Sequence, residues 1–471
     1  MTGLRCLVTG ATGYVGGRLV PRLLAEGYRV RCLVRSPDRL RDLPWAGQVE
    51  IVRGDVTDAD SLADAFADVD VAYYLVHTLA RADFEAVDRE AATTFAAAAR
   101  PAGVGRIVYL GGPVPAGIGA PSSAHLRSRA EVAQILLGSG VPTVVLRAGI
   151  VLGSGSASFE MLRYLTERLP VMVCPRWVRN RAQPIAIADV LRYLVAAARL
   201  PAGLSRAFDI GGPDVLTYAD MMRRYAAVAG LRRRLILPVR PLTPQLSAHW
   251  VGLVTPVPGA IARPLVASLI HEAVCREHDI ARYIQDPPGG LTGFDDAVRR
   301  ALAPDAAAAL PTDPDWAGGT RYTDVRERAV PASPARLWRV IEGIGGERGW
   351  YSFPLAWSVR GWLDQLVGGV GLSRGRRDPE HLQVGEALDF WRVEAMDPGR
   401  LLRLRAEMRL PGSAWLEMSA EPDGHGGSRY RQRAVFVPRG LAGHAYWRAV
   451  WPFHAIVFGG MARNIARTAR R

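Results

Sequence analysis

Short apolar runs punctuate the first third of the chain. Leu4–Thr9, Tyr28–Val34, Val49–Arg53, Val69–Leu75, Arg106–Leu110 and Thr143–Leu146 are rich in Val, Leu, Ile, Cys and Tyr. They are too short for helices and read as buried strands. Helical pattern fills the gaps, beginning with Tyr14–Glu26. This alternation predicts an α/β fold: a doubly wound parallel sheet with right-handed crossovers, a Rossmann core of about residues 1–150. From about 150 to 300 the pattern is mixed, with a strand at Ala207–Ile210 and a helix at Tyr218–Ala229. That region is expected to form a substrate lobe, giving a first domain of 1–300.

Residues 303–319 shift to Ala, Pro, Asp and Gly and read as a linker. A different pattern then runs over 320–471. A strand ends at Val330, and Ser333 is placed to cap a helix starting at Pro334. Leu402, Leu404, Ala406, Met408 and Leu410 alternate with Arg403, Arg405, Glu407 and Arg409, a period of two. Glu386–Glu394, Ala414–Ala420 and Ser428–Val437 continue the meander, with turns at Asp397-Pro398-Gly399 and Asp423-Gly424. A long terminal helix carries Val450, Phe453, Val457, Met461 and Ile465 on one predicted stripe. The second domain is therefore expected to be α+β.

Composition changes this picture little. The chain has 471 residues, 49% hydrophobic and 22% charged, which suits two or three globular domains. The net charge of +14 raises the question of an anionic partner. All 59 basic residues are Arg and none is Lys, a bias expected from a GC-rich genome. No nucleic-acid motif accompanies the charge, so no nucleic-acid partner is expected. The absence of Lys also excludes Schiff-base chemistry, a Walker-type lysine and a Tyr-x-x-x-Lys pair. Cys6, Cys32, Cys174 and Cys275 are far apart, which suggests neither disulfides nor a metal site and fits a cytoplasmic location. The first strand begins almost at once, so no signal peptide is expected. The uncharged stretch 241–262 contains Pro241, Pro244, Pro256 and Pro258, which argue against a membrane span.

The chemistry-bearing signal is Thr9-Gly10-Ala11-Thr12-Gly13-Tyr14-Val15-Gly16, between the first strand and the first helix. Gly10 permits the tight turn, Gly13 admits a pyrophosphate, and Gly16 lets the helix approach the sheet. Thr12, Tyr14 and Val15 complete the cradle, where free amides face an anion. After the second strand comes Arg35 and then Ser36, where an NAD enzyme usually has an acid. A guanidinium and a hydroxyl suit a 2′-phosphate, so the expected cofactor is NADP, with NAD less favoured. Asp55 after the third strand is placed for an adenine amino group, and Val56 for the ring face.

These motifs resemble the extended and atypical short-chain dehydrogenase/reductase families, NmrA-like members included, over about residues 1–300. The resemblance implies that Tyr74-Leu75-Val76-His77 lines the nicotinamide side, with Leu75 and His77 among the cofactor contacts. It also implies a catalytic Ser or Thr where this chain has Gly111-Gly112. The family's Tyr-x-x-x-Lys position is matched by His125-Leu126-Arg127-Ser128-Arg129. There His125 is a candidate proton carrier and Arg129 a candidate ribose anchor; otherwise the stretch is an ordinary polar helix face and the usual site is lost. Ser122 and Ser123 are nearby hydroxyls of little weight, and Asp189 in Gln183–Val190 reads as structural.

The second domain resembles helix-grip (START-like, SRPBCC) domains, and specifically an uncharacterised domain fused behind atypical reductases. Gly349-Trp350-Tyr351, Gly361-Trp362-Leu363, Asp389–Val393 and Pro452-Phe453-His454 carry that likeness. It implies a sheet curled around the last helix over an apolar cavity, with Trp350, Trp357, Trp362, Trp391, Trp415, Trp447 and Trp451 as wall or as core. His444 and His454 form no metal set. Two functions follow: an oxidoreductase acting on a hydrophobic small molecule, or a non-catalytic NADP(H) redox-state sensor or scaffold.

Overall fold

The computed structural model describes residues 3–114, 123–239, 251–252, 254–303, 310–351, 376–378 and 380–471. They form two compact units, Met1–Gly319 and Thr320–Arg471. Ser122, Trp357, Gly361-Trp362-Leu363 and all of 241–250 lie outside the described residues.

In the first unit, β1 (Arg5–Thr9), β2 (Arg29–Val34), β3 (Glu50–Arg53), β4 (Val71–Tyr74), β5 (Arg106–Gly111) and β6 (Thr143–Ala148) match the apolar runs to within a residue or two. Between them lie α1 (Tyr14–Ala25), α2 (Ala59–Phe66), α3 (Phe84–Ala99) and α4 (Ala124–Leu137). The lobe adds β7 (Val151–Leu152), α5 (Ala157–Arg168), β8 (Val171–Pro175), β9 (Arg181–Ala182), β10 (Ile185–Ala186), α6 (Ile187–Ala197), β11 (Arg206–Ile210), β12 (Leu216–Thr217), α7 (Tyr218–Val228), β13 (Leu235–Val239), α8 (Gly259–Ser268) and α9 (Phe294–Leu302).

Seven parallel strands form one sheet in the order β11-β6-β5-β4-β1-β2-β3. The order reverses between β1 and β4, so a crevice opens beyond their carboxyl ends. Both faces are covered, which is why the strands read as unbroken apolar runs rather than alternating ones. Cys6 and Val8 pack with Leu19, Leu23 and Leu194 on one face. Leu7 packs with Phe66, Phe95 and Tyr109 on the other. Cys6 and Cys32 are fully buried and behave as small hydrophobes. Asp189, also buried, accepts the Thr292 amide at 2.9 Å.

Of the segment expected as a linker, residues 310–319 pack on the first unit. Asp313 accepts from Arg18 of α1 at 2.9 and 2.7 Å, and Gly318 donates its amide to buried Glu160 at 3.0 Å. Tyr164 donates to the Trp316 carbonyl at 3.0 Å.

Among the described residues the second unit is a six-stranded antiparallel sheet with two α-helices. Its strands are β14 (Tyr322–Val330), β15 (Ala387–Leu388), β16 (Trp391–Asp397), β17 (Leu401–Ala406), β18 (Gly412–Pro422) and β19 (Ser428–Pro438), ordered β14-β19-β18-β17-β16-β15. The helices are α10 (Pro334–Glu342), capped by the Ser333 hydroxyl, and α11 (Gly440–Arg470). Leu402 and Leu404 point into the core as their alternation predicts, although β17 ends at Ala406 rather than Leu410. The expected strand Glu386–Glu394 is split between β15 and β16 by a tight turn, with a register shift after Val393.

The stripe on α11 requires correction. Phe453 is 70% exposed, while Trp447, Phe458, Met461 and Ile465 are buried. The buried line passes through His454, whose Nδ1 lies 3.2 Å from Asp324 and whose ring stacks on Phe458 at 4.0 Å. Met461 and Ile465 keep their predicted places, while N-terminal to them a paired histidine in the core line shifts the buried face by one residue, about 100° of helix. Trp350 and Trp391 are buried in the core, and Trp447 stacks on Tyr322 and Phe436 at 5.1 and 5.6 Å. Trp451 is 44% exposed, and Trp415 packs beside Arg403. Among the described residues no helix is long and apolar enough to cross a membrane.

Candidate active site

The turn from β1 into α1 is shaped by what its glycines lack. Gly10 has φ +74°, and a Cβ there would meet the Leu75 carbonyl oxygen at 2.7 Å. A Cβ on Gly16 would lie 2.2 Å from the Gly10 oxygen, so helix and turn touch backbone to backbone. Gly13 is exposed and caps α1 without a side-chain hydrogen bond, and the first turn holds no acid. The helix's first intramolecular backbone amide bond is Gly17 to Gly13 at 2.9 Å, so the amides of Tyr14, Val15 and Gly16 remain for an anion. Ala11 is buried, Thr12 half-buried, and Thr9 ties β1 to β4 by donating to the Tyr73 carbonyl. These features fit a dinucleotide pyrophosphate. Only the backbone of Tyr14 is free for it, because the ring packs beneath Gly153 and under the Arg18 guanidinium, 4.2 Å away.

Beyond β2, Arg35 and Ser36 are exposed, and Arg35 makes no ion pair among the described residues. The next acid, Asp38, is engaged by Arg41. At the end of β3, one Asp55 oxygen accepts from the Thr57 amide and hydroxyl at 3.1 and 3.0 Å. Val56 is buried among Leu62 and its neighbours.

The end of β4 carries the most elaborate side-chain arrangement. His77 places Nδ1 2.8 Å from Asp88 of α3. Asp88 also accepts from the Thr78 amide (3.0 Å), the Thr78 hydroxyl (2.7 Å) and Ser128 of α4 (3.1 Å). Burial works against its charge, but the hydrogen bonds and the adjacent imidazole outweigh it and hold the carboxyl below its ordinary range. Burial lowers the His77 pKa despite Asp88. The His77 Nε2 atom is buried and has no hydrogen-bond partner among the described residues. The His125 ring lies beside it, 5.3 Å between centroids and tilted 31°. Burial, with His77 and Arg129 nearby, pushes His125 down to about 3. Its Nδ1 sits 3.1 Å from the Ser268 hydroxyl of α8. Arg129 donates to the Leu110 carbonyl and lies over the Tyr109 ring at 5.0 Å, so it braces the end of β5. Gly111 and Gly112 add no side chain there.

Sequence reasoning missed Asp88, Ser268 and His271. Asp88 left a trace: it sits between Phe84 and Ala92 on the buried face of α3, a carboxylate where the pattern calls for an apolar residue. Ser268 and His271 left none, because they reach His125 and its surroundings only through the fold.

His125 lies at the edge of a cavity of about 950 Å³, measured out to its open mouth. Met161, Trp177, Met221, Met222 and Leu265 supply most of its wall, with Ser268 and His271 as polar points. The apolar lining suits the apolar body of a small molecule.

Comparison with known proteins agrees with this geometry. Residues 10–151 match a family model described as NAD(P)H-binding, and residues 316–461 match one described as a protein of unknown function (DUF2867). A mitochondrial NADH dehydrogenase [ubiquinone] 1 alpha subcomplex subunit 9 of Arabidopsis thaliana is 24% identical over 279 residues, 57% of this chain and 69% of that protein. A ceramide reductase of Caulobacter vibrioides is 29% identical over 234 residues, 49% of this chain and 72% of that protein. Of an uncharacterized protein of Mycobacterium bovis, 28% identical over 228 residues, the chain covers only 23%. The NADP(H) complex of Citrobacter sp. triphenylmethane reductase superposes with TM-score 0.51 at 19% identity, over 63% of this chain and all of that one, and so shares the fold. The first unit is thus a Rossmann-like NAD(P)H-binding domain, followed by a separate antiparallel-sheet domain.

Proposed function

We propose that the protein is an NADP(H)-dependent oxidoreductase acting on a hydrophobic small molecule. One observation carries the reading: His125, beside the β4 end of the dinucleotide crevice, also lines the apolar cavity. The amides of Tyr14, Val15 and Gly16 hold the pyrophosphate in this reading, with Gly10, Thr12 and Gly13 shaping the turn. Arg35 and Ser36 take the 2′-phosphate, Asp55 and Val56 the adenine, and Leu75 and His77 the nicotinamide side. A nicotinamide held there would supply or accept a hydride. His125, held neutral, would take up the proton that a hydroxyl gives up, and Arg129 acts by holding β5. The name of the Caulobacter relative, a ceramide reductase, favours an apolar substrate.

The same proposal divides the chain into a dinucleotide-binding domain over 1–300, a connection over 303–319 and a helix-grip domain over 320–471. The packing of α11 against β14 and β19 supports the last assignment. The competing reading, an NADP(H) redox-state sensor, draws on the engagement of Arg129 with Leu110 and the bare Gly111-Gly112.

The test is equilibrium binding of NADPH, NADP, NADH and NAD to the wild type and to Arg35→Ala, with turnover measured over a panel of apolar carbonyls and alcohols. Loss of Arg35 is expected to weaken NADPH about tenfold, roughly one charge-assisted contact, and to leave NADH unchanged. Equal losses for both would remove the NADP assignment. Tight binding without turnover would favour the sensor.

A further inference from the structure

The hydrogen bonds around the two imidazoles determine which ring nitrogens carry protons. The Asp88 carboxylate only accepts, and it already takes two Thr78 donors and Ser128. His77 must therefore donate from Nδ1, which leaves Nε2 as a bare lone pair. A similar chain orders His125. The Leu126 amide donates to the Ser123 hydroxyl oxygen, 3.2 Å away, and Ser123 lies 2.8 Å from Ser268. Ser268 in turn is 2.9 Å from the Pro264 carbonyl, which only accepts, so the Ser268 proton goes there. Ser268 is left to accept from His125 Nδ1. In that arrangement Nε2 of His125 carries no proton, on a ring that lines the cavity.

Resting on the oxidoreductase reading, we propose that the polar end of the cavity is a hydrogen-bond acceptor, and that its ligand is an apolar molecule bearing a hydroxyl group directed at His125. Asp88 and His77 are positioning residues: the carboxylate fixes the His77 tautomer, and the His77 ring backs His125. Burial keeps both rings neutral, in accord with an acceptor role. A bare carbonyl oxygen finds no proton on His125 to bond. A hydroxyl does find a lone pair, and a ligand without one leaves that nitrogen desolvated and unpaired.

Two probes of nearly equal shape test this, 2-naphthol and 2-methoxynaphthalene, titrated into the full-length protein by fluorescence. The naphthol is expected to bind about tenfold tighter or more. His125→Phe is expected to bring the two affinities together, and a tenfold preference for the naphthol that survives the substitution would overturn the proposal. Equal affinities in the wild type, a preference for the ether, or failure of both to bind would overturn the proposal. Long-range ¹H–¹⁵N spectra supply a second readout: His77 is expected as the Nδ1-protonated tautomer, with Asp88→Asn giving a mixture. A wild-type His77 protonated on Nε2 would also overturn it. NADPH affinity, measured in the same samples, separates the two readings. If NADPH binds and the probes are not distinguished, only the acceptor site fails; if NADPH does not bind, the oxidoreductase reading fails.

Discussion

The dinucleotide crevice and the imidazole cluster lie at the same end of the parallel sheet and are made in opposite ways. At the crevice the working parts are main-chain amides, and the side chains have been removed: Gly10 and Gly16 let backbone touch backbone, and Gly13 leaves the helix end open. At the cluster the working parts are side chains from the end of β4, α3, α4 and α8, linked through a buried carboxylate and a hydroxyl. The first arrangement fails when an atom is added. The second fails when an atom is taken away.

Substitutions should separate the two accordingly. The largest effect is expected from Gly16→Val, whose side chain has no room against the Gly10 carbonyl. It should abolish NADPH binding and cost on the order of 3 kcal/mol in a urea unfolding experiment. Unchanged affinity would mean that the turn does not cradle the cofactor. Asp88→Ala comes next: it strands buried donors on His77, Thr78 and Ser128 and should cost about 2 to 3 kcal/mol, with the cofactor affinity largely kept. Should both variants lose NADPH alike, the crevice and the cluster are one unit and the contrast is false.

A third prediction concerns pH. The unfolded chain titrates His125 near the ordinary 6.5, and the folded chain near 3, so between these values the unfolded state holds more protons. Stability therefore falls as pH drops from about 6.5 toward 3, and His125→Phe should flatten that slope in thermal melts. A slope identical to wild type would show that His125 is not buried in its neutral form.

The same contrast explains what was legible beforehand. Every strand of the seven-stranded sheet stood out as an apolar run, and the glycine turn stood out because its residues are consecutive. A site built from contiguous backbone leaves a contiguous signature. The cluster draws on residues as distant as His77 and Ser268, and nothing in spacing connects them; only Asp88, an acid on an apolar helix face, gave a local sign. In the second unit the alternation of Leu402 and Leu404 with arginines placed the inward face correctly. The terminal helix misled because His454, satisfied by Asp324, stands where a hydrophobe was expected and Phe453 stands in solvent. Polar residues that find a buried partner are invisible to a hydrophobicity pattern.

The anchoring of Asp313 on Arg18 bears on how the chain is dissected. A truncation placed where the composition turns loose, near 303, discards the only carboxylate that grips the first helix among the described residues, and it also uncovers Glu160, whose oxygen holds the Gly318 amide. An excised nucleotide-binding fragment should therefore extend to Gly319, well past the helix end at Leu302, or it will carry a bare cation beside the turn it is meant to preserve.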